Sequence, residues 1–438
     1  MGLPILFGGG APSRYRIANS LRFRASNTAN LSRTPAGAGN RRTMTFVANM
    51  KRGALGTNQQ IFGQGAGTAG GGCALYFPAG DTLRFYDGTT DVLVSNAVFR
   101  DPTAHIQIVL LIDTTQATAA NRVRMFVNGV ELTYSFTSYP AQNTDLLLNQ
   151  AVQHRISGNT SASLLFDGLL SDVYFIDGQA LTPSSFGQID PATNQWVPRR
   201  YSGTYGTNGF FLEFKNATST TTIGHDTSGN GNHWTTSGIS VTSGVTFDQM
   251  TDTPSNNFCT WNPLNSGSGG VMSRANLAYE TAGTAAARYA LGTIAVSSGK
   301  WYWEVTVGST YVSIYPFIGI ATSSSNGLPN DALFDSANAW QYISGGSKKT
   351  GASTTAYGAS FTTNDVIGVE LDLDVGTLAF RKNNLSQGVA FSGLSGTFVP
   401  MIGESNSSTS PSNVNFGQRA FAGTPSSGFL ALNTSNLP

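Results

Sequence analysis

Charged side chains are scarce in this sequence. Asp, Glu, Lys and Arg make up 11% of its 438 residues, against about 25% in a typical soluble domain. The net charge is only +1, so there is no basic excess that could gather the phosphates of a nucleic acid, and we expect no nucleic-acid partner. Ser, Thr and Asn supply the polarity instead, and glycine is abundant, with 51 residues. This composition is typical of turn-rich β-sandwiches in virion, cell-surface and secreted proteins.

Cysteines, long apolar runs and hydrolase motifs are also few or missing. Cys73 and Cys259 form no C-x-x-C pair and lie far apart, which argues against a disulfide scaffold or a zinc site and predicts two buried thiols. No run of 18 apolar residues occurs, so we expect no membrane insertion. Neither H-E-x-x-H nor G-x-S-x-G is present. A zinc protease and a standard serine hydrolase are therefore not indicated.

The first residues have the composition of an anchoring arm. Three glycines, Gly8 to Gly10, follow an apolar patch of five consecutive residues, Leu3, Pro4, Ile5, Leu6 and Phe7. A signal peptide would begin with positive charges, which this segment lacks. We interpret residues 1–14 as an arm on a glycine hinge that docks on other proteins of a larger assembly.

From Tyr15 onward the pattern is all-β. IQIVLLID, residues 106–113, is the most apolar run and predicts a central strand. In RVRMFVNGVELTYSF the alternation of apolar residues stops at Asn128-Gly129 and then resumes. Asn-Gly suits the two positive-φ positions of a type I′ turn, so this segment predicts a β-hairpin. Thr182-Pro183 predicts a single helical turn.

Four segments in order resemble a laminin-G-like, concanavalin-type sandwich: LRF…NLSRT, IQIVLLID, MFVNGVEL and FDGLLSDVYFIDGQALTPSSF. The resemblance extends from Tyr15 to about Trp196 and implies a first β-sandwich domain over residues 15–200. A stretch rich in Gly and Thr follows. We interpret residues 201–250 as a bridging β segment.

The bridging segment contains DTSGNGN. Asp226, Ser228 and Asn230 occupy the first, third and fifth positions of a calcium loop, and Gly231 the sixth, but position twelve is Ser237 where an EF-hand needs Glu. A similar turn recurs in laminin-G-like domains, and this resemblance favours an Asx-turn in which the Asp226 carboxylate accepts local N–H groups. A weakly bound calcium ion on Asp226, Ser228 and Asn230 is the alternative. We expect no other cofactor.

The C-terminal part resembles a SPRY domain, another concanavalin-type sandwich. The matching segments are SGKWYWEVTV, FIGIAT, FTTNDVIGVELDLDVGTLAFRKNN, QGVAFSGLSGTFVPMIG and NVNFGQRAF, over about Ser297 to Gly417. The resemblance implies a second sandwich domain over residues 251–438. Along the strand WYWEV, Trp301, Trp303 and Val305 share one face, which predicts that the tryptophans are core residues.

The row Glu370, Asp372 and Asp374 in ELDLD is the most enzyme-like feature. On a strand these three carboxylates project from one face. The same arrangement is found in laminarinase-like β-glucanases, whose E-x-D-x-E motif carries the catalytic nucleophile and the acid/base residue. The glucanase motif requires Glu at the position that Asp374 occupies here. The SPRY resemblance instead places Asp374 with Gly376 in a hairpin turn. We predict no catalytic residue. Trp340 and Tyr342 are candidate glycan-binding aromatics of an exposed loop, with a core role as the alternative.

The ending GQRAFAGTPSSGFLALNTSNLP, the segment DTPSNNFCTWNPL and the early NRRTMTF…MKRG resemble bacteriophage structural proteins of tails or heads. The sequence thus predicts an all-β chain of two concanavalin A-like β-sandwich (jelly-roll) domains joined by a Gly/Thr-rich bridge. The predicted function is that of a non-enzymatic virion subunit, a tail or capsid appendage of the fibre or spike type.

Such a subunit is assembled in the host cytoplasm and exposed on the particle. Its expected partners are other virion proteins, reached through the arm, further copies of itself in a homo-oligomer, and a host-surface glycan. Two alternatives stay open: a polysaccharide-degrading virion enzyme of the glycoside hydrolase type that uses the carboxylate row, and a free carbohydrate-binding lectin.

Overall fold

The computed structural model describes residues 15–65, 72–266, 269–281, 288–308, 316–325, 333–404 and 410–438. Within these ranges the chain contains β-strands and five short 3-10 helices but no α-helix. The prediction of an all-β fold is therefore confirmed. The predicted anchoring arm, residues 1–14 with Leu3, Pro4, Ile5, Leu6 and Phe7, lies outside the described residues. The 3-10 helices are Ala25–Asn27, Ala119–Asn121, Pro183–Ser185, Thr222–Gly224 and Ser323–Ser325.

The first sandwich is built from the strands up to residue 250. They are β1 Ser20–Phe23, β2 Asn30–Arg33, β3 Thr43–Arg52, β4 Gln59–Gln64, β5 Cys73–Phe77, β6 Thr82–Asp87, β7 Asp91–Val98, β8 Ile106–Asp113, β9 Val123–Val127, β10 Val130–Glu131, β11 Tyr134–Thr137, β12 His154–Ile156, β13 Gly168–Asp177, β14 Gly187–Ile189, β15 Trp196–Pro198, β16 Phe210–Leu212, β17 Thr235–Ser237 and β18 Gln249–Met250.

Two sheets of eight strands each face one another in this sandwich. One has the order β10-β9-β8-β3-β13-β1-β18, with β16 also beside β13, and the other has the order β11-β7-β6-β5-β4-β12-β2-β17. Alternate residues of both sheets point inward because successive side chains of a strand lie on opposite faces. Phe46 of β3 stacks on Phe62 of β4 with ring centroids 4.4 Å apart, which joins the two sheets through the core.

Residues 201–250 belong to this sandwich, so their interpretation as a bridge is wrong. Strand β16 pairs with β13, β17 with β2, and β18 with β1. Phe210 and Leu212 of β16 are part of the first core cluster. The strands have only two or three residues each and are separated by Gly-rich turns, and local composition does not distinguish such strands from a linker. The boundary between the domains therefore lies near residue 250.

The second sandwich contains the remaining strands. They are β19 Trp261–Ser266, β20 Gly270–Ser273, β21 Ala278–Thr281, β22 Arg288–Gly292, β23 Lys300–Thr306, β24 Phe317–Thr322, β25 Ala339–Ile343, β26 Ser347–Thr350, β27 Ser353–Ala356, β28 Val366–Asp372, β29 Thr377–Lys382, β30 Leu385–Ser392, β31 Phe398–Glu404, β32 Ser412–Asn415 and β33 Leu430–Ala431.

The sheets of the second sandwich have the orders β19-β22-β31-β24-β25-β26-β27 and β20-β21-β32-β23-β28-β29-β30, and β33 runs parallel to β23. Trp301, Trp303 and Val305 of β23 are buried in the core between them. The prediction that these tryptophans are core residues is confirmed. Tyr302 and Glu304 lie on the opposite face of the same strand, as the alternation requires.

Two further predictions, on the Asn128-Gly129 hairpin and on the two cysteines, are also confirmed. Asn128 and Gly129 have φ of 49° and 80° and connect β9 to β10, as a type I′ hairpin requires. Cys73 and Cys259 are free and buried, and burial raises the pKa of the Cys259 thiol to about 11.

The two sandwiches meet through buried polar contacts. Lys51 Nζ of β3 donates to Asp252 Oδ2 at 3.0 Å, to Asn257 Oδ1 at 2.7 Å and to the carbonyl oxygen of Phe258 at 2.8 Å. His105 Nε2 lies 2.8 Å from the other carboxylate oxygen of Asp252. Burial lowers the pKa of His105. Because a buried ion pair is costly to break, these contacts fix the junction between the domains.

Candidate functional site

The candidate carboxylate row lies at one end of the hairpin formed by β28 and β29. Glu370 and Asp372 belong to β28, while Asp374 lies in the turn, where Gly376 has a φ of 70°. The hairpin and its turn match the prediction from the SPRY resemblance. Asp374 therefore does not continue the strand face shared by Glu370 and Asp372.

Each carboxylate of the row is engaged by neighbouring donors. Glu370 Oε1 accepts hydrogen bonds from Arg381 Nη1 and from the backbone N–H of Ser426, both at 3.1 Å. Lys300 Nζ lies 2.7 Å from Asp372 Oδ2.

In the turn itself, the donors are backbone N–H groups. Asp372 Oδ1 accepts from the N–H of Asp374 at 3.0 Å, and Asp374 Oδ1 accepts from the N–H of Gly299, also at 3.0 Å. These bonds close the hairpin and tie it to the start of β23. The arrangement is that of a turn held by ion pairs and backbone donors.

The second candidate site, the turn DTSGNGN, is organised around one carboxylate. Asp226 is buried, and its Oδ1 accepts from the backbone N–H groups of Phe211 at 2.9 Å and Ser228 at 2.8 Å. Its Oδ2 accepts from Ser228 Oγ and from the N–H of Asn232, both at 2.8 Å. Four donors thus surround the carboxylate in the geometry of an Asx-turn.

The other two candidate calcium ligands are also used within the turn region. Ser228 Oγ donates to Asp226 and accepts from the N–H of Asn230 at 3.2 Å. Asn230 Nδ2 donates to the carbonyl oxygens of Gly206 at 2.7 Å and Gly209 at 2.9 Å. Across the described ranges of the chain, no three His, Cys, Asp or Glu side chains come together in a group that could hold a metal ion.

The candidate glycan-binding aromatics lie on β25 and point toward the core. Tyr342 is fully buried, donates its hydroxyl to the carbonyl oxygen of Ala359, and has Phe361 and Phe380 against its ring. Its assignment as an exposed loop aromatic is wrong, because β25 is an inner strand of its sheet. Trp340 is half-buried and packs edge-to-face on Phe398, with ring centroids 5.3 Å apart.

Sequence reasoning missed a cleft of about 340 Å³ where the two sandwiches meet. Gln249, Met250 and Thr251 line it from one side, and Gln418 and Arg419 from the other. The one signal in the sequence is an arginine in the apolar context NFGQRAF, without an acidic neighbour. The described residues include no helix long and apolar enough to span a membrane.

The second domain is thus an antiparallel β-sandwich with a WYWEV core strand and a hairpin stabilised by ion pairs. Residues 300–419 match the SPRY domain family, and the C-terminal sandwich of this chain is a SPRY domain. The match extends two residues beyond the predicted end at Gly417.

Several solved structures are similar to part of the chain. The SPRY domain of human HERC1 is 19% identical, with a TM-score of 0.31, and the alignment covers 35% of this chain and 95% of that one. The PSpry domain of TRIM65 is 15% identical, with a TM-score of 0.30, and the alignment covers 36% of this chain and 92% of that one. A human SPRY domain is 16% identical, with a TM-score of 0.29, and the alignment covers 35% of this chain and 98% of that domain.

Proposed function

We propose that this protein is a non-enzymatic structural subunit of a bacteriophage virion, a tail or capsid appendage that works by binding other proteins and the host surface. The observation that carries the non-enzymatic part is the engagement of Glu370, Asp372 and Asp374 by Arg381, Lys300 and backbone donors. In a retaining glycosidase one carboxylate acts as nucleophile and a second as acid/base, and the donors bound to Glu370 and Asp372 would compete with a substrate for these oxygens. The phage assignment rests on the resemblance of the chain to phage structural proteins, and the first domain is proposed to be laminin-G-like.

An exposed sheet edge supports the adhesive part of the proposal. Strand β30 is the last strand of its sheet, and Leu385 and Val389 on it are 71% and 57% exposed. Val375, in the turn of the neighbouring hairpin, is 66% exposed. Apolar side chains on an edge strand are a recurrent surface for contact with another chain. We propose that this edge contacts another virion protein or a further copy of the chain.

Mass spectrometry of purified phage particles tests the proposal. The protein should be present at a fixed copy number per particle, in proportion to a known capsid protein, after the particles are banded in a density gradient. Absence from banded particles, with the protein found only free in the lysate, would refute the virion assignment.

A parallel assay addresses the enzymatic alternative. Purified protein is incubated with β-glucans and host polysaccharide, and released reducing ends are counted for the wild type, Glu370→Gln and Asp374→Asn. We expect no release from any of the three proteins. Release by the wild type that either substitution abolishes would make a polysaccharide-degrading enzyme the better assignment.

A further inference from the structure

A groove lies beside the DTSGNGN turn, between the 3-10 helix Thr222–Gly224 and the edge strand β17. Its volume is about 350 Å³, and small-molecule sites have volumes of about 300–1,000 Å³. Two hydrogen bonds tie its walls together. The N–H of Trp234 donates to the carbonyl oxygen of Gly224 at 2.9 Å, and Thr236 Oγ1 donates to that of Thr220 at 2.8 Å. The groove is therefore formed before any ligand binds.

Four threonines, two histidines and Trp234 line the groove, and several of their polar groups are not used within the protein. The hydroxyl groups of Thr220, Thr221 and Thr235 have no hydrogen-bond partner among the described residues, and all three residues are exposed. The ring nitrogens of His225 are also without a partner there. A threonine hydroxyl can both donate and accept. These groups can therefore exchange water for a ligand without breaking a bond of the fold.

The two histidines form a stacked pair at the groove. The ring centroids of His225 and His233 lie 4.3 Å apart. His233 Nδ1 accepts a hydrogen bond from the backbone N–H of Asp226 at 3.0 Å. Because Nδ1 is an acceptor, the proton of the neutral His233 ring is on Nε2, which is therefore a donor. This tautomer makes His233 Nε2 unsuitable as a metal ligand, since a metal ion would have to displace its proton.

The groove is also uncharged apart from its histidines. Among the described residues that line it there is no lysine, arginine, aspartate or glutamate. The carboxylate of Asp226, the residue after His225, accepts from Phe211, Ser228 and Asn232. An anionic ligand would find no lysine or arginine to pair with in this lining, and a cationic ligand would find no free carboxylate.

We propose that this groove binds a neutral saccharide, one sugar ring of a host-surface glycan. Each sugar hydroxyl both donates and accepts, as the threonine hydroxyls do, and the C–H face of a pyranose ring can pack on the imidazole pair. The inference rests on the proposed adhesive function and gives it a location, which the buried Tyr342 does not provide.

The test measures binding of four probes to the full-length protein by saturation-transfer difference NMR. The probes are the methyl glycosides of glucose, galactose, mannose and N-acetylglucosamine. At least one should give a saturable signal with a Kd on the order of millimolar, as expected for a ligand of this size. Thr221→Val and Thr235→Val each remove one hydroxyl at nearly constant shape and should weaken binding about fivefold.

Thr354→Val is the matched control, since Thr354 is an exposed threonine on an edge strand of the second sandwich. It should bind like the wild type. A third groove variant, His225→Ala, removes one ring of the stacked pair and should weaken binding by a similar factor or more. The melting temperature of each variant shows that it is folded.

Three results would overturn the inference: no saturable binding of any glycoside, equal binding by the wild type and all groove variants, or tighter binding of inorganic phosphate than of every glycoside. The virion assignment is tested separately by the mass spectrometry of particles. A protein present in particles that binds no glycoside would refute the saccharide site alone. A protein that binds a glycoside but is absent from particles would support the site and refute the virion assignment.

Discussion

Asp226 illustrates how a single carboxylate organises a long irregular segment. Its two oxygens join strand β16, through Phe211, to the turn, through Ser228 and Asn232. A calcium loop uses the same residue types but directs their oxygens at an ion, whereas here the donors come from the chain itself.

Replacement of Asp226 by Asn should destabilise the protein by about 1–3 kcal/mol, because an amide offers one acceptor where the carboxylate offers two. The melting temperature should not differ between several millimolar calcium and excess chelator, for wild type or variant. Asp101→Asn is a matched control, since Asp101 forms a similar turn with Thr103 but is exposed, and its cost should be smaller. A calcium-dependent rise in Tm that Asp226→Asn removes would establish a metal site.

Glu404 gives a prediction for pH. It is buried at the end of β31, where burial and the like charge of Glu280 raise its pKa to about 8 although Ser412 Oγ donates to it. Between the ordinary carboxyl pKa of about 4.3 and 8, the folded state keeps a proton that the unfolded chain releases. The contribution of Glu404 to stability is therefore complete at low pH and declines as pH rises toward 8.

The variant Glu404→Gln stays neutral at every pH and should be more stable than the wild type at pH 8. The difference in unfolding free energy between variant and wild type should change by up to about 1.4 kcal/mol per pH unit between pH 5 and 8. Denaturant unfolding at several pH values measures it. Parallel stability curves for the two proteins would contradict the raised pKa.

Among the elements, the hairpin of β9 and β10 depends on a glycine in its turn. A Cβ atom added to Gly129, where φ is 80°, would lie 2.4 Å from Cζ3 of Trp196. The turn therefore needs glycine both for its backbone conformation and for the indole that covers it.

Gly129→Ala should cost about 1–3 kcal/mol, because the backbone must strain and the Trp196 ring must move. Gly80→Ala is the control, since a Cβ at Gly80 meets no atom within 4 Å, and its effect should stay within about 0.5 kcal/mol. Chemical denaturation of both variants gives the comparison. Equal stabilities would show that the ring is not a constraint on the turn.

The elements predicted correctly are those whose signals are local. Asn128-Gly129, the alternation in WYWEV and the turn at Gly376 depend on neighbouring residues only. The strands of residues 201–250 were not predicted as parts of the first sandwich, because their partners β13, β2 and β1 lie far away in sequence. Tyr342 was misassigned for the same reason, since its burial depends on which strands flank β25. The cleft at Arg419 needs residues from both domains, and no local pattern could reveal it.

For the whole molecule, the apolar arm gives the clearest prediction about assembly. Deletion of residues 1–14 should leave a soluble, folded protein with an unchanged Tm, because the first sandwich begins at Tyr15, whose hydroxyl donates to Asp172 at 2.6 Å. The shortened protein should be missing from particles, since it lacks the apolar surface proposed to dock. Gel analysis of purified particles made with each form is the measurement.

The substitution of Leu6 and Phe7 by Ser keeps the length of the arm and should give the same loss as the deletion. Incorporation of the truncated protein at the normal copy number would show that the arm is not the anchor.

The pairing of β1 with β18 constrains when the first sandwich can form during synthesis. Ser20 Oγ donates to the carbonyl oxygen of Asp252, 232 positions later in the chain. At a translation rate of about 5–20 residues per second, β1 is synthesised about 10–50 s before its partner β18. During that time the growing chain exposes an incomplete sheet edge beside the other nascent chains on the same polysome. A subunit made in many copies would then depend on chaperones or on slow initiation to keep neighbouring chains apart.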